Sequence, residues 1–573
     1  MSTERMMVSV PKHILPAGAI IQAVLAVVLV QNASVRWCFL CALVGNFVCY
    51  AVYSIAIYPR WFSPFRRLPK PRKSNMLLGH ALAEFQMPRG DSYLRFMNET
   101  SNAGILHLQG LFGSDQLLLT STAALTETLV QRAYDFEWPE GDRGFLRRIL
   151  GSGLITAQGH VHKMQRKHMA QGFGVKSIRG LYPLFWEHSR GLVRGIAREL
   201  VMHYPNGDYA GPNSISGVTD VCSWAQRVSL DIIGRAGFGW EFNTIENPDN
   251  ELASNFERIF APTLSNALLF GVSVYGPEWA LNYVPAGISR DFVAATAKVH
   301  EVCRAFIRST SKATCTERPN DNILSQLLKQ ESMTEDSLVD QTLTFLTAGH
   351  ETVAIALTWA IYLLAKDPKT QTHLRAELRN ALPSAELLSD NNNLPSILES
   401  LPLLNGVVNE TLRLYPSAPV AVRVSIRDTS ILGTPVPKGT RLIIAPWSVN
   451  RSRDLWGPSA ESFVPERWID VHTPNITAGA GSTTINTAAT TAATAAAAAN
   501  KPPLLTFLQG PRNCIGQGFA RAELLTLVAV FVRAFEVALV DFADIKLPGG
   551  SLSAKPAGGM RLRIRVVDEA FVQ

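Results

Sequence analysis

Apolar residues recur along most of this chain with a helical period, and strand-like alternation is confined to a few short stretches. The clearest helical stripe follows Gly516, where Phe519, Ala520, Leu524, Leu527, Val528, Phe531 and Phe535 share one face. Helical spacing dominates from about Ser121 to Pro416. Alternation marks Gly104 to Thr120, Val422 to Ala445 with turn punctuation at Gly433, Pro435, Pro437 and Gly439, and Arg561 to Val567. The pattern predicts a mainly α (α+β) protein: a large helical domain with a small β-rich region and no internal repeat.

Two apolar runs precede that domain. After a short tail at residues 1–13, residues 14–31 and 37–58 each approach the roughly 20 residues needed to cross a bilayer. The preferred expectation is a pair of transmembrane helices; one span plus an interfacial first segment is the alternative. Residues 59–73 then form a proline-rich stretch with six positive side chains, expected to be a semi-rigid hinge on the cytosolic side. With two spans, the sequon Asn32-Ala33-Ser34 is lumenal. The catalytic domain is expected over residues 74–573. Within it the Ala-, Thr- and Gly-rich residues 473–500 read as a disordered insertion without a catalytic role.

Composition narrows the partners. A net charge of +7 is spread over a chain only 18% charged, and no basic block carries interleaved aromatics, which excludes nucleic acid. The positive balance suits membrane lipid or an acidic redox partner. The seven cysteines form no even, closely spaced framework and no paired zinc motif, which places the domain in a reducing compartment.

One cysteine stands apart. Phe507-Leu508-Gln509-Gly510-Pro511-Arg512-Asn513-Cys514-Ile515-Gly516 sets Cys514 between two glycines just before the helical stripe. A helix N-terminus favours a thiolate and is expected to lower the thiol's pKa, while Gly510 and Gly516 let a flat ligand approach the backbone. A lone cysteine is otherwise a small buried hydrophobe. The whole stretch, however, resembles the Phe-x-x-Gly-x-Arg-x-Cys-x-Gly signature of the cytochromes P450, at every fixed position. The resemblance implies haem b as cofactor and Cys514 as the axial iron ligand. It implies Arg512 at a haem propionate, Phe507 beneath the ring near the sulfur, and Gly516 in the same loop.

Three further motifs follow the family's order. Phe345 to Val353 contains Ala348-Gly349-His350-Glu351-Thr352, an acid and an alcohol in an apolar helix. Taken alone, Thr352 could simply bond back to the preceding turn, with Glu351 at the surface. By resemblance, Ala348 and Gly349 thin the helix wall for O2, Thr352 hydrogen-bonds the oxygen being activated, and Glu351 relays protons. His350 is expected to pack or face substrate. Glu410-Thr411-Leu412-Arg413 with Arg467 resembles the Glu-x-x-Arg structural network. His162 and Arg166 resemble the Trp-x-x-x-Arg pair that binds propionates, although a solvated basic helix face is equally compatible with the spacing. Arg423 is a further propionate candidate.

The resemblance implies a membrane-bound monooxygenase of the endoplasmic reticulum, most like those of fungal secondary metabolism. It would hydroxylate or epoxidise a lipophilic small molecule such as a terpenoid or polyketide. O2 and NADPH–cytochrome P450 reductase would be its partners, with cytochrome b5 as an optional second donor. Substrate contacts are expected from residues 136–155, 264–285, 345–352, 417–422 and 551–556, and Lys163, Lys167 and Arg521 are candidates for reductase docking. Two rival readings are a haem-thiolate isomerase or dehydratase that needs no reductase, and a membrane haem- or lipid-binding receptor.

Overall fold

The computed structural model describes residues 35–72, 75, 78–204, 215–261, 263–276, 283–312, 334–382, 393–469, 504–540 and 553–572. The first apolar run, Asn32 and the 473–500 insertion lie outside the described residues. The second run forms helix α1 (Val35–Val52), continued by a π-helical turn over Tyr53–Phe62. Leu40–Phe62 has a mean hydropathy of 2.0 and none of its most apolar window is buried against protein, as a bilayer-crossing segment requires. The only other described helix that passes the same length and hydropathy test is 83% buried, and is therefore core.

The stretch expected to be a hinge does not stand off as a spacer. Its first residues, Pro59 to Phe62, finish the apolar N-terminal helix, and the following chain packs onto the domain. Tyr58 and Ser63 hydroxyls donate to the Asp115 carboxylate at 3.1 and 3.0 Å, and Phe65 is buried beside His107. His107 Nε2 meets the same carboxylate at 2.6 Å, so anchor and sheet share one acid. Proline is tolerated because the π-helical turn already breaks the regular ladder.

The domain is built chiefly on helices α2 (Glu140–Leu150), α3 (Gly159–Met169), α4 (Tyr182–His203), α5 (Val221–Ile233), α6 (Glu251–Phe260), α7 (Leu264–Tyr275), α8 (Ala286–Lys312), α9 (Glu335–Lys366), α10 (Pro402–Leu414) and α11 (Gln517–Ala534), with further helices such as Asp91–Glu99 and Pro368–Ala381 and shorter turns around them. Strands β1 (Ile105–Gln109), β2 (Asp115–Leu119), β3 (Phe136–Glu137), β5 (Ala421–Ser425) and β8 (Arg441–Ile444) form one sheet in the order β1-β2-β8-β5-β3. β4 (Ser216–Asp220), β9 (Phe535–Leu539) and β10 (Arg561–Val566) form a second, and β6 (Thr429–Ile431) and β7 (Thr434–Val436) a hairpin. The sheet and helical regions have separate hydrophobic cores.

Helix α9 runs through the larger core. Its N-cap Thr334 accepts from the Ser337 N–H, and Glu335 and Asp336 complement the dipole in its first turn. From Gln341 to Ala365 every residue is buried except Ala348, Gly349 and Thr352, which are half-exposed. These three lie on one strip, at i, i+1 and i+4. A core helix with one such strip borders an internal space.

Candidate active site

Cys514 sits in the turn before α11, held by its own N–H donating to the Phe507 carbonyl at 2.9 Å. Gly516 is the N-cap of α11, and its N–H bonds the Cys514 sulfur. The Cys514 residue is exposed although the fold closes around its loop. Burial pushes the thiol pKa up, against the smaller opposing effects of the Gly516 N–H and Arg166. The expectation of a lowered free thiol is therefore corrected: desolvation outweighs the helix start. A bound metal would supply the charge that deprotonates it.

The two loop glycines have different reasons. Gly510 adopts φ 73°, and a Cβ there would stand 2.0 Å from the Leu129 carbonyl oxygen, so its role is packing. At Gly516 a Cβ would meet Phe173 at 3.7 Å and the Cys514 sulfur at 4.0 Å, which leaves the cavity side open. Gly349 also differs from expectation. Its missing side chain is replaced by Ile233 of α5, 2.8 Å from where a Cβ would be, so it permits close helix packing on that side while its backbone stays on the half-exposed strip of α9.

Around the cysteine loop lies a group of cations. Arg423 is 4% exposed and donates to the carbonyl of its own neighbour Val422 at 2.7 Å, with its guanidinium 5.0 Å from the Trp138 ring centroid. Burial, then the Arg512 charge, pulls its pKa down to about 9. Arg512 donates to the Ala157 carbonyl at 2.8 Å. Arg166 donates to the Asn513 carbonyl at 2.6 Å and to its side-chain oxygen, bracing the residue next to Cys514. His162 is buried 3.3 Å from the Tyr134 hydroxyl. Its pKa falls to about 4, first through burial and then through Arg512, Arg166 and Arg423.

No ion pair joins any of these four residues to an acid among the described residues. Buried positive charge is costly without a counter-charge. A flat ligand with carboxylates, seated on a thiolate, would supply it, so the residues present fit haem. Tyr134 and Trp138 escaped sequence reading, because aromatic contacts across a fold leave no local pattern.

The Glu410 network is closed. Arg413 makes a bidentate pair with Glu410 at 2.8 and 2.7 Å and donates to the carbonyls of Asn450, Ala460 and Ser462. Arg467 Nε, the Val464 N–H and Trp468 Nε1 complete the Glu410 shell at 3.1, 3.0 and 2.8 Å. Burial alone would raise the Glu410 pKa, but Arg413, Trp468 and Val464 outweigh it and leave it lowered.

On α9, Thr352 Oγ donates to the Ala348 carbonyl at 2.6 Å. Glu351 is buried rather than at the surface, with its pKa raised by burial and opposed by Lys555 and Ser553. His350 is buried with its ring 5.4 Å from Phe256. A cavity of about 420 Å³ lies between α2, α7 and α8, lined by Phe145, Arg148, Leu269, Phe292, Val293 and His300 among others. Lys163 and Lys167 are exposed, whereas Arg521 is only half-exposed, beside Tyr182.

The cytochrome P450 family model matches residues 69–559. Cytochrome P450 monooxygenase ptmK of Penicillium ochrochloron is 37% identical over 515 residues, covering 90% of this chain and 96% of its own length. Cytochrome P450 monooxygenase sphH of Aspergillus fumigatus is 36% identical over 504 residues, covering 87% of each chain. Cytochrome P450 monooxygenase FUM15 of Gibberella moniliformis is 34% identical, covering 90% of this chain and 91% of its own length. The chain belongs to the cytochrome P450 family. It is a cytochrome P450 monooxygenase, as these relatives are named, and the family implies a haem-thiolate cofactor.

Proposed function

We propose that the protein hydroxylates or epoxidises a lipophilic secondary metabolite such as a terpenoid or polyketide. Haem b would be the cofactor, held at Cys514. The observation that carries this reading is the exposed Cys514 at the start of α11 beside Arg423, Arg512 and Arg166, which join no ion pair among the described residues. When bound, the haem supplies O2 activation at its iron. Arg423, Arg512, Arg166 and His162 would bind and orient its carboxylates. Phe507 and Gly516 shape the wall behind the sulfur. Thr352 presents a hydroxyl on the open strip of α9, beside Ala348, and Glu351 holds the proton next to it on its carboxyl oxygens.

The pocket between α2, α7 and α8, where Phe145, Leu269, Phe292 and Val293 stand among Arg148, Ser273, Ser289, Thr296 and His300, supports a lipophilic substrate that carries polar groups. The Leu40–Phe62 helix supports an endoplasmic-reticulum anchor with the domain in the cytosol. Electrons would come from NADPH through a flavoprotein reductase, aided by cytochrome b5. The purified protein, reduced and exposed to carbon monoxide, should show the red-shifted Soret band of thiolate ligation. Cys514→Ser should abolish that band. A wild-type protein without it would overturn the proposal.

A further inference from the structure

The pocket of about 420 Å³ between α2, α7 and α8 has a lopsided lining. Its apolar part is firm: Phe145 and Phe292 are buried and stack with ring centroids 5.6 Å apart, and Leu269 joins them in the wall. Its polar part holds one cation, Arg148, with the hydroxyls of Ser273, Ser289 and Thr296 and the ring of His300, and no acid. Thr296 Oγ and His300 Nε2 are engaged, donating to the Phe292 and Ile149 carbonyls at 2.8 and 3.0 Å. Arg148 and the hydroxyls of Ser273 and Ser289 have no partner among the described residues.

An exposed arginine needs no partner on an open surface, where water answers its charge. This one lines a pocket whose three helices keep their own acids from it. In α2, Glu140 pairs with Arg143, and Asp142 is held by Arg441 of β8 at 2.8 and 3.3 Å. α7 carries no acid. On α8 the lining positions from Ser289 to His300 recur at helical spacing on one face, whereas Asp291 falls on the opposite face and Glu301 pairs with Lys298 at 3.2 Å. The pocket is left with an apolar wall, one unneutralised cation and two free hydroxyls. That set matches an amphiphile with a single negative group, because a guanidinium fork takes the two oxygens of a carboxylate side by side. The volume is that of a small-molecule site, too small for the paired chains of a phospholipid.

We propose that the substrate is a lipophilic carboxylic acid whose carboxylate docks on Arg148, Ser273 and Ser289 while its apolar body lies on Phe145, Leu269 and Phe292. Arg148 is thereby a specificity-determining residue: it binds and orients the carboxylate, and no bond there is made or broken. The inference narrows the lipophilic substrate proposed above to one chemical class and rests on that reading.

The test uses the full-length holoprotein in nanodiscs of phosphatidylcholine, with protein-free discs as the blank. Binding of dodecanoate and of dodecan-1-ol is measured by equilibrium dialysis at about pH 8, well above the range in which carboxyls titrate. Dodecanoate should bind about 10-fold tighter than the alcohol, the worth of a charge-assisted hydrogen bond at a half-open site. Arg148→Gln should erase that preference and leave the alcohol's affinity unchanged, Arg148→Lys should keep part of it, and Ser273→Ala should trim it by a smaller factor. Ala297→Trp, at an exposed position of the wall, should weaken both ligands by filling the pocket. Arg148 is itself exposed, so its variants should keep the wild-type melting temperature. Equal binding of acid and alcohol, or a preference that survives Arg148→Gln, overturns the proposal while leaving the lipophilic pocket intact. Loss of the wild-type preference when phosphatidylserine is added to the discs also overturns it, by showing that a lipid headgroup holds Arg148. Failure of both ligands to bind, or binding indifferent to Ala297→Trp, sinks the lipophilic-substrate reading of this pocket and the inference with it.

Discussion

Two groups of arginines, one centred on the buried Arg413 and one on the buried Arg423 with the half-buried Arg512 and Arg166, meet the cost of internal charge in opposite ways. Arg413 is enclosed by a carboxylate and three carbonyls, and its acid Glu410 is itself fully surrounded by donors. Arg423, Arg512 and Arg166 donate to carbonyls and join no ion pair among the described residues, although the Glu137 charge acts on Arg512 from beyond contact. The first group is complete within the chain, and so is part of the fold. The second is complete only when an anion arrives, and so is part of a site. Burial alone does not separate structural from functional arginines; charge balance does.

Breaking the closed group should have the largest effect. Arg413→Ala leaves Glu410 buried with its main partner gone, a change worth about 3–5 kcal/mol in comparable buried pairs. Little holoprotein should accumulate, measured as carbon-monoxide-binding protein per total expressed chain. Arg423→Leu should behave differently. The melting temperature of the apoprotein should hold or rise, because an unpaired buried charge has been removed. The holoprotein should lose haem about 10- to 100-fold faster, the equivalent of one charge-assisted hydrogen bond. An apoprotein destabilised as much as by Arg413→Ala would erase the distinction.

The Asp115 cluster is a smaller closed system with one acid and three donors, and it sharpens the comparison at the membrane end. Asp115→Asn should cost about 1–2 kcal/mol locally. Its signature should be faster amide exchange and tryptic cleavage at the exposed Arg66 and Arg67, with the carbon monoxide spectrum unchanged. Equal loss of haem would show that anchor docking and the site are not separate.

These groups also show what a sequence can reveal. The α+β pattern was legible because it rests on periodicity, and so was the place of Cys514 just before a helix; the raised thiol and the packing of Gly510 on Leu129 were not, because they arise in the assembled fold. The anchor junction was misread, since proline and basic residues compose a linker on paper while Tyr58 meets an acid 57 residues away. Gly349 was assigned to an oxygen pocket because its partner Ile233 is more than a hundred positions earlier. Lys555 lies in the 551–556 stretch expected to contact substrate, whereas the structure buries it in a strap that bonds α9 through Ser553 and Ala554, positions far away in sequence. Local chemistry is written locally, whereas charge balance belongs to the assembled fold.

The smallest expected effect tests the open group through pH. The folded-state pKa of His162 is depressed to about 4, with burial first and the three arginines after it. In the unfolded chain a histidine titrates near 6.5. Between these values the unfolded state binds a proton that the folded state refuses, so the contribution is intact above pH 6.5 and declines as pH falls toward 4. After screening, the slope should stay below about 1 kcal/mol per pH unit. Carboxylates placed among Arg423, Arg512 and Arg166 would offset the repulsion that holds His162 neutral and lift its pKa toward the ordinary value. The apoprotein should therefore lose more melting temperature than the holoprotein between pH 6.5 and 4.5, and His162→Gln should narrow that gap. Parallel losses in both forms, unaffected by His162→Gln, would mean that the cations have no anion to wait for.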